Sequence, residues 1–101
     1  MLLPMLLLMA CSKSKDEQLA PNVPKGKMTK ELIVNGTTRE YIINVPENYN
    51  AITALPILFS FHGLTSNMEF NYNHTNFDEL AERENFIVVH PNGISNTWTV
   101  S

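Results

Sequence analysis

The chain has 101 residues, of which 44% are hydrophobic and 17% charged, with a formal net charge of −3 and one cysteine. This length allows one small domain at most, and a single cysteine excludes a disulfide scaffold. The composition also excludes a collagen-like chain, a low-complexity chain and a polybasic nucleic-acid-binding protein, so we expect no nucleic-acid partner.

The first ten residues form an uncharged apolar run that is too short to cross a bilayer and is typical of an export signal. Leu8-Met9-Ala10-Cys11 resembles the lipobox of bacterial lipoproteins, in which cleavage before the cysteine leaves a lipid-bearing N-terminus. We therefore predict a signal peptide at residues 1–10 and an extracytoplasmic protein, in the periplasm or at the cell surface, that a lipidated Cys11 anchors to the membrane. The alternative is an ordinary secretory signal without lipid, and the usual basic residue is missing before Leu2.

Residues 11–27 are predicted to be a tether, because they are rich in Ser, Lys, Pro and Gly and show no helical or strand period. Residues 12–30 contain five lysines and two acidic residues, whereas residues 31–101 contain two arginines and eight acidic residues. A basic leader therefore precedes an acidic body, and we expect the folded domain to occupy residues 28–101.

Two β-rich runs flank Asn35-Gly36, which is a strong signal for a β-hairpin. This dipeptide supplies the two positive φ angles that a type I′ turn requires. Such a turn pairs Val34 with Thr37 and Leu32 with Arg39, so the hairpin register follows from the turn.

The second strand of this hairpin places Tyr41, Ile43 and Val45 on one face, and we expect these side chains to point inward. The strand should end before Pro46, which has no N–H to donate. Residues 47–54 are then predicted to be a loop.

Two later runs, Leu55–Phe61 and Phe86–His90, are almost continuously apolar, as in strands buried on both faces of a parallel sheet. Between them Phe77, Leu80 and Ala81 recur at helical spacing. Two adjacent parallel strands joined by a helix form a βαβ unit, whose ligand site lies beyond the carboxyl ends of the strands. The sequence therefore predicts the α/β class, with a β-hairpin followed by a parallel βαβ unit.

The ends of the predicted helix carry recognisable signals. Asn76 or Thr75 can cap its start, and Asn85 can adopt the left-handed conformation that ends it. The segment between His62-Gly63 and this helix is expected to form a polar loop.

Several short motifs occur in a characteristic order: Arg39-Glu40-Tyr41, Val45-Pro46-x-x-Tyr49, Leu55-Pro56, His62-Gly63, Leu80-Ala81-x-x-x-Asn85-Phe86 and Val88-Val89-His90-Pro91-Asn92-Gly93, followed by Trp98. Together they resemble the α/β-hydrolase esterases of the polyhydroxybutyrate depolymerase and feruloyl or acetylxylan esterase group. The resemblance covers about residues 30–98, and His90 stands where that group has an aromatic residue such as Tyr. It implies a serine carboxylic ester hydrolase that acts on a small or polymeric ester.

In such enzymes the loop after the His-Gly strand supplies one backbone N–H to the oxyanion hole. The resemblance implies that Leu64 is this donor, with Thr65 as the alternative. Gly63 would let the chain turn sharply. His62 is expected to hold the loop by hydrogen bonding rather than to act as a base.

No metal site or cofactor is expected. Cys11 is assigned to lipid, and His62, His74 and His90 lack the close spacing of metal ligands. We expect His74 to lie at the surface and His90 to be packed or solvated.

The nucleophile elbow Gly-x-Ser-x-Gly is absent from the 101 residues. One helix could also cover only one face of the two apolar strands. We therefore predict that residues 28–101 are the incomplete N-terminal portion of an α/β-hydrolase and are inactive alone. The alternatives are another hydrolase of this fold, such as a serine peptidase, and a lipoprotein that binds glycans or polyesters without cleaving them. The ester substrate and the oligomeric state are left open.

Overall fold

A computed structural model describes residues 23–99, which form one mixed four-stranded sheet with two helices. The elements in chain order are β1 (Gly26–Val34), β2 (Thr37–Val45), β3 (Ile57–Phe59), α1 (Met68–Thr75), α2 (Phe77–Glu84) and β4 (Ile87–Pro91). The strand order is β1-β2-β4-β3. β2 runs antiparallel to both of its neighbours, whereas β3 and β4 are parallel. The predicted hairpin and parallel βαβ unit are thus confirmed, and they share one sheet.

The hairpin has the predicted turn and register. Asn35 and Gly36 have φ angles of 50° and 79°, as a type I′ turn requires. Val34 pairs with Thr37, and residue 32 pairs with residue 39. β1 begins at Gly26, two residues earlier than expected, and β2 ends immediately before Pro46.

The face of β2 that the helices cover differs from the prediction. Ile42 is fully buried and Asn44 is 5% exposed, whereas Tyr41 and Ile43 are only half-buried on the opposite face. The inward orientation predicted for Tyr41 and Ile43 is therefore wrong, although Val45 is buried. β2 carries apolar residues on both faces, so alternation alone could not indicate which face α1 and α2 cover.

β3 is shorter and more exposed than predicted. Only Ile57–Phe59 of the apolar run Leu55–Phe61 pairs as a strand, and all three of its side chains are exposed. β3 is an edge strand of the described sheet: it pairs with β4 on one side and with no strand of that sheet on the other. Within residues 23–99, no helix covers the sheet face that carries Ile43 and Phe59, which we call the open face. A concavity of about 440 Å³ lies there.

Both helices pack on β2 and β4. The predicted helix is α2, which begins after Asn76 and ends at Asn85, whose φ angle is 60°. Asn76 makes no side-chain capping bond; its φ of 56° lets it link the two helices. No helix in residues 23–99 is long and apolar enough to span a membrane.

Helix α1 replaces part of the expected polar loop. Its sequence, Met-Glu-Phe-Asn-Tyr-Asn-His-Thr, shows no apolar stripe, and Met68 is its one buried residue. A local signal does exist, because the Asn67 side chain accepts a 2.8 Å hydrogen bond from the Phe70 N–H and so caps the helix. Polar contacts therefore stabilise α1, and a search of the sequence for apolar residues at helical spacing does not find this helix.

The buried centre of β2 gives a test of this packing. Ile42→Ala should lower the free energy of unfolding by about 2–5 kcal/mol, because it leaves a cavity between the sheet and the helices. Ile33→Ala is the matched control, since Ile33 of the same hairpin is 72% exposed and should change stability by less than about 0.5 kcal/mol. Urea unfolding measures both, and equal losses would contradict this packing.

Candidate functional site

The carboxyl ends of the two parallel strands bring two loops together. We call them the β3 loop (residues 60–67) and the β4 loop (residues 92–99). The Thr65 N–H donates to the Asn96 carbonyl at 2.9 Å, and the Met68 N–H donates to Asn92 Oδ1 at 3.0 Å. Because adjacent parallel strands end at the same side of a sheet, these loops form the position at which open α/β sheets bind ligands.

His62 joins the two loops and is 3% exposed. Its Nε2 accepts the Gly93 N–H at 3.0 Å, so its proton resides on Nδ1, which donates to the Gly63 carbonyl at 2.8 Å. The Trp98 indole donates to the His62 carbonyl at 2.8 Å and lies against the imidazole, with the ring centroids 4.6 Å apart. Both imidazole nitrogens are therefore engaged within the protein.

The two candidate donors in the β3 loop differ in availability. The Thr65 N–H is paired with Asn96, whereas the Leu64 N–H has no hydrogen-bond acceptor within residues 23–99. The Leu64 side chain is 74% exposed. Of the two, the Leu64 amide is therefore the one that can receive a ligand oxygen.

The chain turns at residues 63–66, where the Ser66 N–H donates to the Gly63 carbonyl at 3.1 Å, and the left-handed residue of this turn is Thr65 rather than Gly63. Thr65 has a φ angle of 64°, whereas Gly63 has no positive φ, and a Cβ added there would meet no atom within 4 Å. The left-handed region is costly for a β-branched residue, by about 1–3 kcal/mol, and such strain concentrates at functional sites. The hydrogen bond to Asn96 helps to hold Thr65 in this conformation.

Gly93 is required for steric reasons that the sequence did not reveal. A Cβ at this position would collide with the Thr97 carbonyl group. The sequence placed Gly93 after a strand but gave no sign that it pairs with His62, 31 positions away. The roles of Asn92 and Trp98 in joining the loops were missed for the same reason.

A second polar cluster lies between the ends of the same strands. Asn71 of α1 places its Nδ2 3.1 Å from the Ser60 carbonyl, 3.0 Å from Ser60 Oγ and 3.3 Å from His90 Nδ1. His90 is fully buried against the Tyr72 ring, with the centroids 5.3 Å apart. Burial lowers the pKa of His90 below its usual 6.5, and Asp78 partly opposes this shift.

The other predicted site residues are placed as follows. His74 is exposed and stacks on Phe70, with the centroids 5.5 Å apart. Cys11, the predicted signal peptide and most of the tether lie outside the described residues. Residues 23–99 contain no group of three or more side chains arranged to bind a metal ion.

The collision at Gly93 predicts a difference between two glycine substitutions. Gly93→Ala should destabilise the fold by about 1–3 kcal/mol, because the backbone must move and weaken the bond to His62. Gly63→Ala, in the facing loop, has free space and should cost less than about 0.5 kcal/mol. Thermal unfolding followed by circular dichroism measures both; a Gly93→Ala variant as stable as Gly63→Ala would refute the close approach.

Comparison with known proteins gives matches among solved structures. No family model and no curated protein matches the sequence. A ferulic acid esterase matches with a TM-score of 0.59 and 20% identity, over 70% of this chain and 31% of the esterase.

The S-formylglutathione hydrolase of Staphylococcus aureus matches with a TM-score of 0.54 and 21% identity, over 71% of this chain and 32% of the hydrolase. This chain thus spans about a third of the length of each match. It shares the fold of part of an esterase-type hydrolase, with a mixed sheet of four strands and two helices.

Proposed function

We propose that this chain is the N-terminal portion of a serine carboxylic ester hydrolase that acts outside the cytoplasm, in the polyhydroxybutyrate depolymerase and feruloyl or acetylxylan esterase group. The observation that carries this proposal is the Leu64 amide at the carboxyl ends of two parallel strands, which finds no acceptor in the described part of the chain, residues 23–99. An oxyanion-hole donor is found at this place in α/β-hydrolases.

The chemistry requires a donor that is in place before the reaction. Attack of a serine on an ester carbonyl forms a tetrahedral intermediate whose oxygen carries negative charge, and preorganised N–H groups stabilise that charge. The Leu64 amide would provide one donor, and the residue after the nucleophile would provide the other. A backbone donor needs no particular side chain, so leucine is suitable at this position.

The contacts of the β3 loop support this role because they fix the loop without using the Leu64 amide. His62 binds the Gly93 N–H, Thr65 binds Asn96, and Trp98 binds the His62 carbonyl. A donor held in this way needs little reorganisation when the oxyanion forms. The engaged nitrogens of His62 also favour a positioning role for this residue over a role as general base.

The proposal places the nucleophile, the acid and the base in a continuation of the chain, since residues 1–101 contain no Gly-x-Ser-x-Gly. The open face supports this, because apolar side chains there, such as Phe59 at 56% exposed, need a covering layer. We call the chain continued through the coding sequence after Ser101 the extended protein.

The test compares two substitutions at one position in the extended protein. Leu64→Pro removes the N–H and should lower kcat on a p-nitrophenyl ester by about 10²–10³-fold. Leu64→Ala keeps the N–H and should retain most of the activity. A proline can be accommodated at position 64, because Leu64 has no positive φ and the preceding Gly63 has no Cβ to clash with the proline ring. Steady-state kinetics and a melting curve for each variant separate catalysis from folding.

The unextended chain should show no turnover above buffer, because it has no nucleophile elbow and supplies only one oxyanion donor. Turnover by this chain, or a Leu64→Pro variant as active as Leu64→Ala, would refute the assignment. An extended protein with no Gly-x-Ser-x-Gly would favour the non-catalytic binder. Cleavage of peptides but not esters would favour the serine peptidase.

We also propose that Cys11 carries lipid and anchors the protein to a bacterial membrane. Stable anchoring needs more than one acyl chain, which a lipidated N-terminal cysteine provides. In cells fed radiolabelled palmitate, the native chain should incorporate label and Cys11→Ala should not; Cys11 is the only cysteine, so the label is unambiguous. A native chain that is secreted without label would show an ordinary secretory signal instead.

A further inference from the structure

The cluster of Asn71, Ser60 and His90 lies where β3 leads into the loop that presents Leu64. Ser60 is the first residue of the β3 loop, and its N–H already donates to the Val89 carbonyl of β4 at 2.8 Å. Asn71 connects helix α1 to the same place, because its Nδ2 contacts both Ser60 oxygens and His90 of β4. One amide group therefore connects the carboxyl ends of both parallel strands to α1.

The partners fix which atoms carry protons. A carbonyl oxygen accepts only, so the Asn71 group that faces the Ser60 carbonyl must be the NH₂. The NH₂ has two hydrogens for three facing atoms, and the contact with His90 Nδ1, at 3.3 Å, is the longest of the three. His90 Nδ1 can form this hydrogen bond only as an acceptor, which places the imidazole proton on Nε2, a buried atom without a hydrogen-bond partner in residues 23–99. His62 has the opposite tautomer, with its proton on Nδ1. A second proton on His90 would put a donor opposite a donor and break the contact between Asn71 and β4, leaving Asn71 bound to Ser60 alone.

We propose that Asn71 and His90 are a positioning pair for the Leu64 amide, and that the pair holds the β3 loop only while His90 is neutral. This inference rests on the proposed function and extends it to the residues beneath the oxyanion donor. Neither residue touches the reacting atoms. They act through Ser60, whose position sets the start of the loop that contains Leu64.

The surroundings of His90 favour the neutral ring. Burial is the main cause of its lowered pKa, and Asp78 of α2 acts in the opposite direction. Tyr72 of α1, which lies against His90, stays uncharged, because burial and then Asp78 raise its pKa to about 12. Lys27 of β1 lies 4.5 Å from the Tyr72 ring centroid and pairs with Glu69 of α1 at 3.2 Å.

On β2, the exposed acid Glu40 lies two residues before Ile42 on the face that His90 shares. The partner of His90 on β2 is Ile42, and β3 contributes Ser60 through Asn71. A histidine with a lowered folded pKa contributes stability that is present above pH 6.5 and is lost as the pH falls through the folded pKa. The link should therefore weaken on the acid side of pH 6.5.

The first experiment observes the protons directly. The chain or the extended protein, whichever gives a dispersed spectrum, is labelled with ¹⁵N-histidine, and long-range ¹H–¹⁵N correlations identify each tautomer. At about pH 8, above the ordinary histidine pKa, His90 should be protonated on Nε2 and His62 on Nδ1. Asn71→Asp should then raise the His90 pKa, because a carboxylate beside Nδ1 stabilises the imidazolium. His74→Gln, at an exposed histidine of the same helix, should leave the His90 signals unchanged.

The second experiment measures catalysis in the extended protein. His90→Phe and Asn71→Ala should each lower kcat about ten- to a hundredfold with a smaller change in KM, because the donor is displaced from the oxyanion. The double variant should lose no more than the worse single variant, since both residues act through one link. His74→Gln should match the unsubstituted protein. Melting curves show that each variant is folded at the assay temperature.

The two experiments separate the possible failures. A His90 ring protonated on Nδ1 at about pH 8, or unaffected by Asn71→Asp, would overturn the pair whatever the protein catalyses. Unchanged kcat in folded His90→Phe would overturn its positioning role. An extended protein without any esterase activity would refute the proposed function, and with it the role of the pair toward Leu64, while the predicted tautomers could still be correct.

Discussion

The hydrogen bond from the Gly93 N–H to His62 joins the ends of two parallel strands, and the candidate site depends on it. The bond forms only because β3 and β4 run in the same direction and are adjacent, so that their following loops emerge side by side. It also requires glycine at position 93, where a side chain would collide with the next turn. With both nitrogens of His62 engaged, the β3 loop is held by polar contacts within itself and with the β4 loop, and the Leu64 amide is left unpaired within residues 23–99.

Local chemistry in the sequence predicted the features that depend on neighbouring residues. Asn35-Gly36 specifies a turn, and the turn specifies the register of the hairpin, so both agreed with the structure. The apolar spacing of Phe77, Leu80 and Ala81 likewise predicted α2. Helix α1 could not be found in this way, because capping and the polar contacts of Asn71 replace an apolar stripe.

Features that depend on distant residues were less predictable. Tyr41, Ile43 and Val45 lie on one face of β2 and Ile42 is the one apolar residue of the other, so only the packing of α1 and α2 makes the face of Ile42 the buried one. The motif His62-Gly63 indicated a loop that hydrogen bonds would hold, but not that Gly93 and Trp98 would supply the partners. The resemblance indicated the Leu64 amide, and the hydrogen bond of Thr65 to Asn96 gives a structural reason to prefer it.

Within residues 23–99, one side of β3 pairs with no other strand, and this has a consequence for how copies of the protein interact. Its main-chain N–H and C=O groups on that side face no other strand of the sheet, and its three side chains are apolar and exposed. Such a border can recruit a strand from another copy and start aggregation. Copies of the protein at high local concentration would therefore compete to pair along this border of β3.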